Sequence, residues 1–233
     1  MTHNPIEIAG YTATDFNAVY RGGDFLDGSA IAGVPWDIGR PQPAVVEFER
    51  AGLLRGAVLD IGCGLGDNAI YLATRGYQVT GIDAASAAIE QAITRAGGLD
   101  IEFDVADATT LTGYESRFDT VLDSALYHTL DAASRTAYLH AAHRVTRPGG
   151  ALNMLCFADL PGGMPTPLSV SEANLSADLT ATGWHVTQLQ QAIYWGVAAT
   201  TSAFFDKLGI SPRIDAEGHT LLPVWSVQAE RVS

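Results

Sequence analysis

The sequence predicts an α/β fold on a doubly wound, mostly parallel sheet, and three observations carry that prediction. From Val58 onward, strand-like and helix-like runs alternate, as βαβ units do. Several strand-like runs are almost continuously apolar, the pattern of strands covered on both faces. The first of them opens into "DIGCGLGD", a glycine-rich turn where a strand hands over to a helix.

The elements follow in order. Residues 1–36 mix glycines with aromatics (Tyr11, Phe16, Tyr20, Phe25, Trp36), keep no sustained period and read as a lid. "PQPAVVEFERAGLL" gives a short helix with proline in its first turn. Strands are expected in "AVLDIG", "QVTGID", "IEFDVAD", "FDTVLDS" and "ALNMLCFA". Helices are expected in "NAIYLATRG", "SAAIEQAITRAGG" and "DAASRTAYLHAAHRVTRPGG", so residues 37–160 form the core. In residues 161–233 a Pro/Gly-rich loop comes first, then Ser169 and Glu172 read as a capping box opening a helix that Gly183 ends. "WHVTQLQQAIYW" and "LPVWSVQAERV" alternate as edge strands do, with a helix and loop between them. No repeat or low-complexity tract divides the chain, and one domain spanning 1–233 is expected.

Composition narrows the function. At 233 residues, 47% apolar and 17% charged, the chain suits one well-buried domain. Acids outnumber bases 26 to 13, for a net charge of −13, and no Lys/Arg cluster offers a face to phosphates, so nucleic acid is not expected as a partner. The N-terminus lacks the pattern of a signal peptide, and no apolar run approaches the roughly 18 residues of a membrane span. Cys63 and Cys156 do not resemble a disulfide framework. A cytoplasmic protein with no membrane partner, monomeric or weakly dimeric, is expected. His140 and His143 stand three apart on a helix, but with no third ligand nearby they read as surface residues, and no metal is expected.

The glycine turn says what kind of cofactor fits. A dinucleotide site wants G-x-G-x-x-G. Here Gly62, Gly64 and Gly66 alternate, and Asp67 stands where the third glycine belongs. Asp60 and Asp67 flank the turn with no Lys or Arg beside them in sequence, an unfavourable setting for a pyrophosphate. No G-x-x-x-x-G-K-[ST] occurs either. A positively charged cofactor suits the turn better.

The turn resembles motif I of the class I methyltransferases that use S-adenosylmethionine (SAM). Asp83 closes the second strand 17 residues past Gly66, where the family holds the ribose hydroxyls. Asp107 in "VADA" corresponds to the acid beside the adenine, and "HRVTRPGG" resembles the signature before the fifth strand. The resemblance implies a Rossmann-like seven-stranded sheet with its last strand antiparallel. It implies SAM as cofactor, S-adenosylhomocysteine as product, and cofactor contacts from Trp36, Asp60, Gly62, Cys63, Gly64, Gly66, Asp83, Ala84, Asp107, Ala108 and Asp123.

In this family the loop after the fourth strand serves the acceptor. It reads "LDSALYHTL", with neither the N/D-P-P-Y/F of amino methylation nor the Pro-Cys of pyrimidine methylation. Tyr127 and His128 remain, His128 as a proton acceptor or as a residue that only shapes the site. "VPWDIGRPQPAVVE" resembles the thiopurine and heterocyclic-toxin branch, which implies that Trp36 lies over cofactor and substrate. Arg40 either meets the methionine carboxylate or is simply exposed. Tyr20 and Phe25 would line the lid, and Trp195, Phe204 and Phe205 the opposite side. The expected reaction is O-methylation of a small hydroxylated heteroaromatic such as a hydroxyquinolone, by in-line displacement. A thiol or halide acceptor, or a SAM-binding regulatory module without turnover, are the alternatives.

Overall fold

The computed structural model describes residues 15–23 and 33–232. Phe25, expected on the lid, lies outside them. A short helix α1 (Phe16–Tyr20) and α2 (Pro43–Arg50) precede the sheet. The core then runs β1 (Ala57–Ile61), α3 (Asp67–Thr74), β2 (Gln78–Asp83), α4 (Ser86–Ala96), β3 (Ile101–Val105) and β4 (Phe118–Ser124). After it come α5 (Ala132–Val145), β5 (Thr146–Phe157), α6 (Glu172–Ala181), β6 (Trp184–Val197), α7 (Ala198–Leu208), β7 (Arg213–Ile214) and β8 (His219–Arg231).

The strand order is β3-β2-β1-β4-β5-β8-β6, with β7 beside β8. Strands β1 to β5 pair in parallel, and β8 runs antiparallel to both β5 and β6. The last strand is therefore antiparallel, as the resemblance implied. The eighth strand, β7, was not expected. It takes the edge of β8 at Thr220 and Leu221, beyond the point where β5 stops pairing at Phe157.

Period two sends the strand residues to two cores. Leu59, Ile61 and Val121 pack with Tyr138 and Leu139 of α5, while Val58, Val79 and Leu122 pack with α2 and α3 through Val45, Phe48 and Leu72. This double cover explains the continuous apolar runs.

Two local expectations shift. The helix expected across residues 131–150 ends at Val145. Thr146 pairs with Phe118 in the sheet, and Pro148 cannot continue a helix. The cap of α6 is Ser171, whose hydroxyl accepts Asn174 N–H at 3.2 Å, and not Ser169. Val170 N–H is already bonded to Phe157 carbonyl, so the helix can begin only beyond it.

Two sets of ties hold the N-terminal segments over the sheet. Asn17 Oδ1 accepts Ala87 N–H at 3.0 Å and Gln91 Nε2 donates to the Tyr20 carbonyl at 2.8 Å, seating α1 on α4. Gln42 clamps Trp195 on β6, donating to its carbonyl at 2.8 Å and accepting its N–H at 2.9 Å.

Candidate active site

The order of the sheet reverses between β1 and β4, and a crevice opens at the carboxyl ends of the parallel strands, where such sheets bind ligands. A cavity of about 380 Å³ lies there. Its floor comes from the loops after β1 (Gly62), β2 (Asp83, Ala84), β3 (Asp107, Ala108) and β4 (Ser124, Leu126, His128). Phe16, Tyr20 and Trp36 roof one side; Phe157, Tyr194, Phe204 and Phe205 wall the other. A smaller polar cleft shares Trp36, Gly62, Ser124 and Tyr194 with it and adds Arg40, Cys63, Gly64 and Asn68.

The glycine turn is tightly enclosed. Gly64 has φ +54°, and a Cβ on it would lie 2.9 Å from the Tyr20 hydroxyl, so only glycine leaves room for the roof. Gly66, at φ +83°, precedes the first turn of α3, and its Cβ would press on Ala92 and Phe103. It serves helix packing and lines neither cavity nor cleft. Cys63 is buried beside Asp60 and Asp83; burial and their charges push its thiol well up, so it is no nucleophile.

Asp83 accepts Gly64 N–H at 3.0 Å with one oxygen and Ala85 N–H at 2.8 Å with the other, bracing the turn while facing the cavity. Burial raises its pKa. Asp107 Oδ1 accepts Thr109 N–H and hydroxyl at 2.8 and 2.7 Å. Asp60 is fully buried at the end of β1, and neither oxygen has a partner of hydrogen-bonding geometry; only the Ala69 amide leans toward it. Burial, then the charges of Asp123 and Asp83, raise its pKa to about 7. Asp67 is less exposed to repulsion than the sequence suggested. Arg95 of α4 bonds it at 2.9 Å and Asp37 at 2.6 Å, a cation that folding brings to the turn.

His128 lines the cavity on a single 3₁₀ turn, Tyr127–Thr129. It is almost wholly buried, its ring centre 4.1 Å from that of Phe157, and Nδ1 has no partner. Burial, and then the charge of Arg135, lower its pKa to about 3, so the imidazole is neutral. Tyr127, its neighbour on that tight turn, points the other way. Its hydroxyl donates to Asp178 at 2.6 Å inside the core near Tyr138, and it does not face the cavity.

Asp123 also departs from expectation. It shares the Val121 face of β4, toward α5, and accepts Leu126 N–H at 2.7 Å, Tyr127 N–H at 3.1 Å and Tyr138 O–H at 2.8 Å. It shapes the loop that carries His128 but does not line the cavity. Trp195 is replaced at the wall by Tyr194 and Gly196, since alternate residues of β6 face opposite ways. Period two was visible in the sequence, but which parity faces the cavity was not. Arg40 stands at the rim of the polar cleft, paired with Glu217 at 2.8 Å. His143 packs edge-on against Trp184, and among the described residues no group of three or more His, Cys, Asp or Glu could hold a metal.

The donor set fits SAM. An orphaned buried carboxylate at Asp60, a carboxylate at the tip of β2 and a glycine cradle suit a cationic, phosphate-free nucleoside. Comparison with known proteins agrees. The pattern of the methyltransferase domain family matches residues 58–150. A 2-heptyl-1-hydroxyquinolin-4(1H)-one methyltransferase of Mycobacteroides abscessus is 34% identical over 205 residues, covering 84% of this chain and 88% of its own. The chain belongs to the class I SAM-dependent methyltransferases. This methyltransferase also aligns, with TM-score 0.77 and 37% identity over 93% of its chain and 91% of the other, with a solved structure concerning conversion of a disulfide bond into a thioacetal group during echinomycin biosynthesis. A Burkholderia thailandensis 1,6-didemethyltoxoflavin N1-methyltransferase, solved with that heterocycle and S-adenosylhomocysteine, shares the fold. Its TM-score is 0.61 at 19% identity, covering 82% of this chain and 77% of the other. SAM is the methyltransferase's cofactor, and no helix among its described residues is long and apolar enough to cross a membrane.

Proposed function

We propose that the methyltransferase O-methylates a small hydroxylated heteroaromatic, such as a hydroxyquinolone. The observation that carries this reading is a neutral imidazole, His128, set in a cavity whose walls are otherwise largely aromatic and apolar. The relative from Mycobacteroides abscessus bears a hydroxyquinolone in its name, which supports the same class.

SAM supplies a methyl group already activated by a positively charged sulfur. The chain's own residues must then hold the acceptor in line, exclude water and take its proton. Asp83 and Asp107 would fix the nucleoside half, and the polar cleft beside Gly62 and Gly64 would take the amino-acid end. Asp60 would offset the cofactor's positive charge from within the fold. Trp36 and Tyr20 close the roof, and Phe157, Tyr194 and Phe205 offer flat apolar walls to an aromatic ring. His128 receives the hydroxyl proton. Burial makes its imidazolium costly, and that cost falls because the substrate oxygen ends as a neutral ether and the positive charge beside the imidazole is lost from sulfur in the same transfer.

A sulfur acceptor is the second reading, favoured by the 37% identity to the structure concerned with thioacetal formation. Incubating the protein with SAM and a panel of hydroxyquinolones, phenols, thiols and iodide, and measuring S-adenosylhomocysteine release, separates the two. Turnover on heteroaromatic hydroxyls supports the first reading. Release with thiols alone replaces it with the second.

A further inference from the structure

Arg40 is the one cation among the described residues lining the polar cleft, and its guanidinium is held by the C-terminal part of the chain. Nη2 donates to Glu217 Oε2 at 2.8 Å and lies 3.3 Å from His219 Nε2; the guanidinium carbon is 5.0 Å from the Trp195 ring centre. Arginine only donates, so His219 Nε2 accepts. The ring proton then sits on Nδ1, which donates to Asp215 Oδ2 at 2.9 Å. The other oxygen of Asp215 accepts the backbone N–H groups of Glu217 at 2.9 Å and His219 at 2.8 Å. Trp195 stacks on the imidazole at 4.6 Å, and Gln42 fixes the Trp195 backbone.

Both side chains of the Arg40–Glu217 pair reach solvent, 46% and 67% exposed, whereas those of His219 and Asp215 are 13% and 22% exposed. An exposed ion pair of this kind is weak and easily exchanged for another carboxylate. The second arginine near the cleft, Arg95, is already engaged by Asp37 and Asp67. The acids lining the cleft, Asp37 and Asp67, are thus already paired, and the guanidinium of Arg40, whose one acidic partner among the described residues is the exposed Glu217, is the cation there able to take up a carboxylate.

We propose that Asp215 and His219 are positioning residues that aim Arg40 at the carboxylate of the cofactor's amino-acid end, with Glu217 holding that place until the cofactor displaces it. This rests on the placement of that end in the polar cleft proposed above. The roles divide by chemistry: Arg40 touches the cofactor, His219 orients Arg40, and Asp215 selects the tautomer that lets His219 accept.

The test is equilibrium titration of the whole protein with two probes. S-adenosylhomocysteine carries the amino-acid carboxylate; 5′-methylthioadenosine keeps the adenosine and the sulfur but lacks it. Arg40→Gln and His219→Leu are each expected to weaken S-adenosylhomocysteine about tenfold and to leave methylthioadenosine within about twofold. The double variant should be no weaker than Arg40→Gln alone, because His219 acts through Arg40. His219→Gln, whose amide oxygen can accept from Arg40, should restore most of the affinity. Glu217→Gln, a change at an exposed side chain, should tighten S-adenosylhomocysteine severalfold by removing the competing carboxylate. Equal losses for both probes, additive losses in the double variant, or no effect of Glu217→Gln would overturn the proposal. Wild-type protein that binds methylthioadenosine as tightly as S-adenosylhomocysteine would overturn the cleft placement itself.

Discussion

The indole Nε1 of Trp36 donates to the hydroxyl of Tyr20 at 3.1 Å, the two rings meeting edge-on with centres 5.9 Å apart. Tyr20 in turn rests on Gly64, and Trp36 lines both the cavity and the polar cleft. Two residues from the irregular N-terminal segment therefore form a lintel across the glycine turn. Because α1 is tied to α4 through Asn17 and Gln91, the lintel has a fixed seat.

Replacing Trp36 by Phe keeps an aromatic wall and removes the donor. The expected result is a melting temperature within about 3 °C of wild type and a kcat/KM about tenfold lower. Thermal melts and steady-state rates on the same preparations check this; matched losses of stability and activity would make Trp36 a packing residue only.

Asp83→Ala removes a carboxylate that braces two backbone N–H groups and faces the cavity. The SAM dissociation constant should rise about tenfold or more. Calorimetric titration measures it, and an unchanged constant would take Asp83 out of the nucleoside site.

Asp60 is expected to make cofactor binding pH-dependent. Its folded pKa of about 7 lies above the ordinary carboxylate value, so the folded protein holds a proton that the unfolded chain has lost. Stability from this group is therefore present below about pH 4 and is lost as pH rises to about 7. A cationic ligand prefers the ionised form, so SAM should bind progressively tighter from pH 5.5 to 7.5. Asp60→Asn should flatten that slope. Asp123, raised to about 6, has the same sign for stability, but Leu126 N–H, Tyr127 N–H and Tyr138 O–H already occupy its oxygens on the α5 side of the sheet, whereas those of Asp60 are unpartnered, so Asp123→Asn should leave the slope of SAM affinity in place. Titrations across this range with all three proteins decide the matter.

His128→Ala should lower kcat about a hundredfold while S-adenosylhomocysteine affinity stays within about twofold. With its pKa lowered to about 3, His128 is neutral at every working pH, so the rate profile should lack an inflection near 6.5. For stability the sign opposes that of Asp60: the unfolded chain takes up the proton first, and stability falls as pH drops from about 6.5 to 3. An inflection near 6.5 that disappears in the variant would contradict the buried, neutral state.

Tyr127→Phe tests the separation of two adjacent residues. Loss of the hydroxyl bonded to Asp178 should cost about 1 kcal/mol of stability, seen as a drop of about 2–4 °C in melting temperature. The KM of the acceptor should not change. A raised KM with unchanged stability would put Tyr127 back in the substrate site.

What the sequence determined by itself was everything set by near neighbours along the chain. Apolar runs alternating with helical ones marked β1 to β5, period two marked β6 and β8, the alternate glycines marked the cofactor turn, and the family resemblance, by its spacing from that turn, named Asp83 at the tip of β2. Tertiary structure alone decided which face each side chain presents and what meets it there. Trp195 and Tyr194 are equivalent in an alternating strand until β8 and Gln42 fix its register. Asp123 looked like a cofactor ligand, yet it faces α5 because odd residues of β4 point to that core. Arg95 neutralises Asp67 from 28 positions away, and the pKa of Asp60 depends on burial that no local pattern encodes. Periodicity and turn chemistry are short-range properties of the backbone; burial and charge pairing exist only once distant elements pack together.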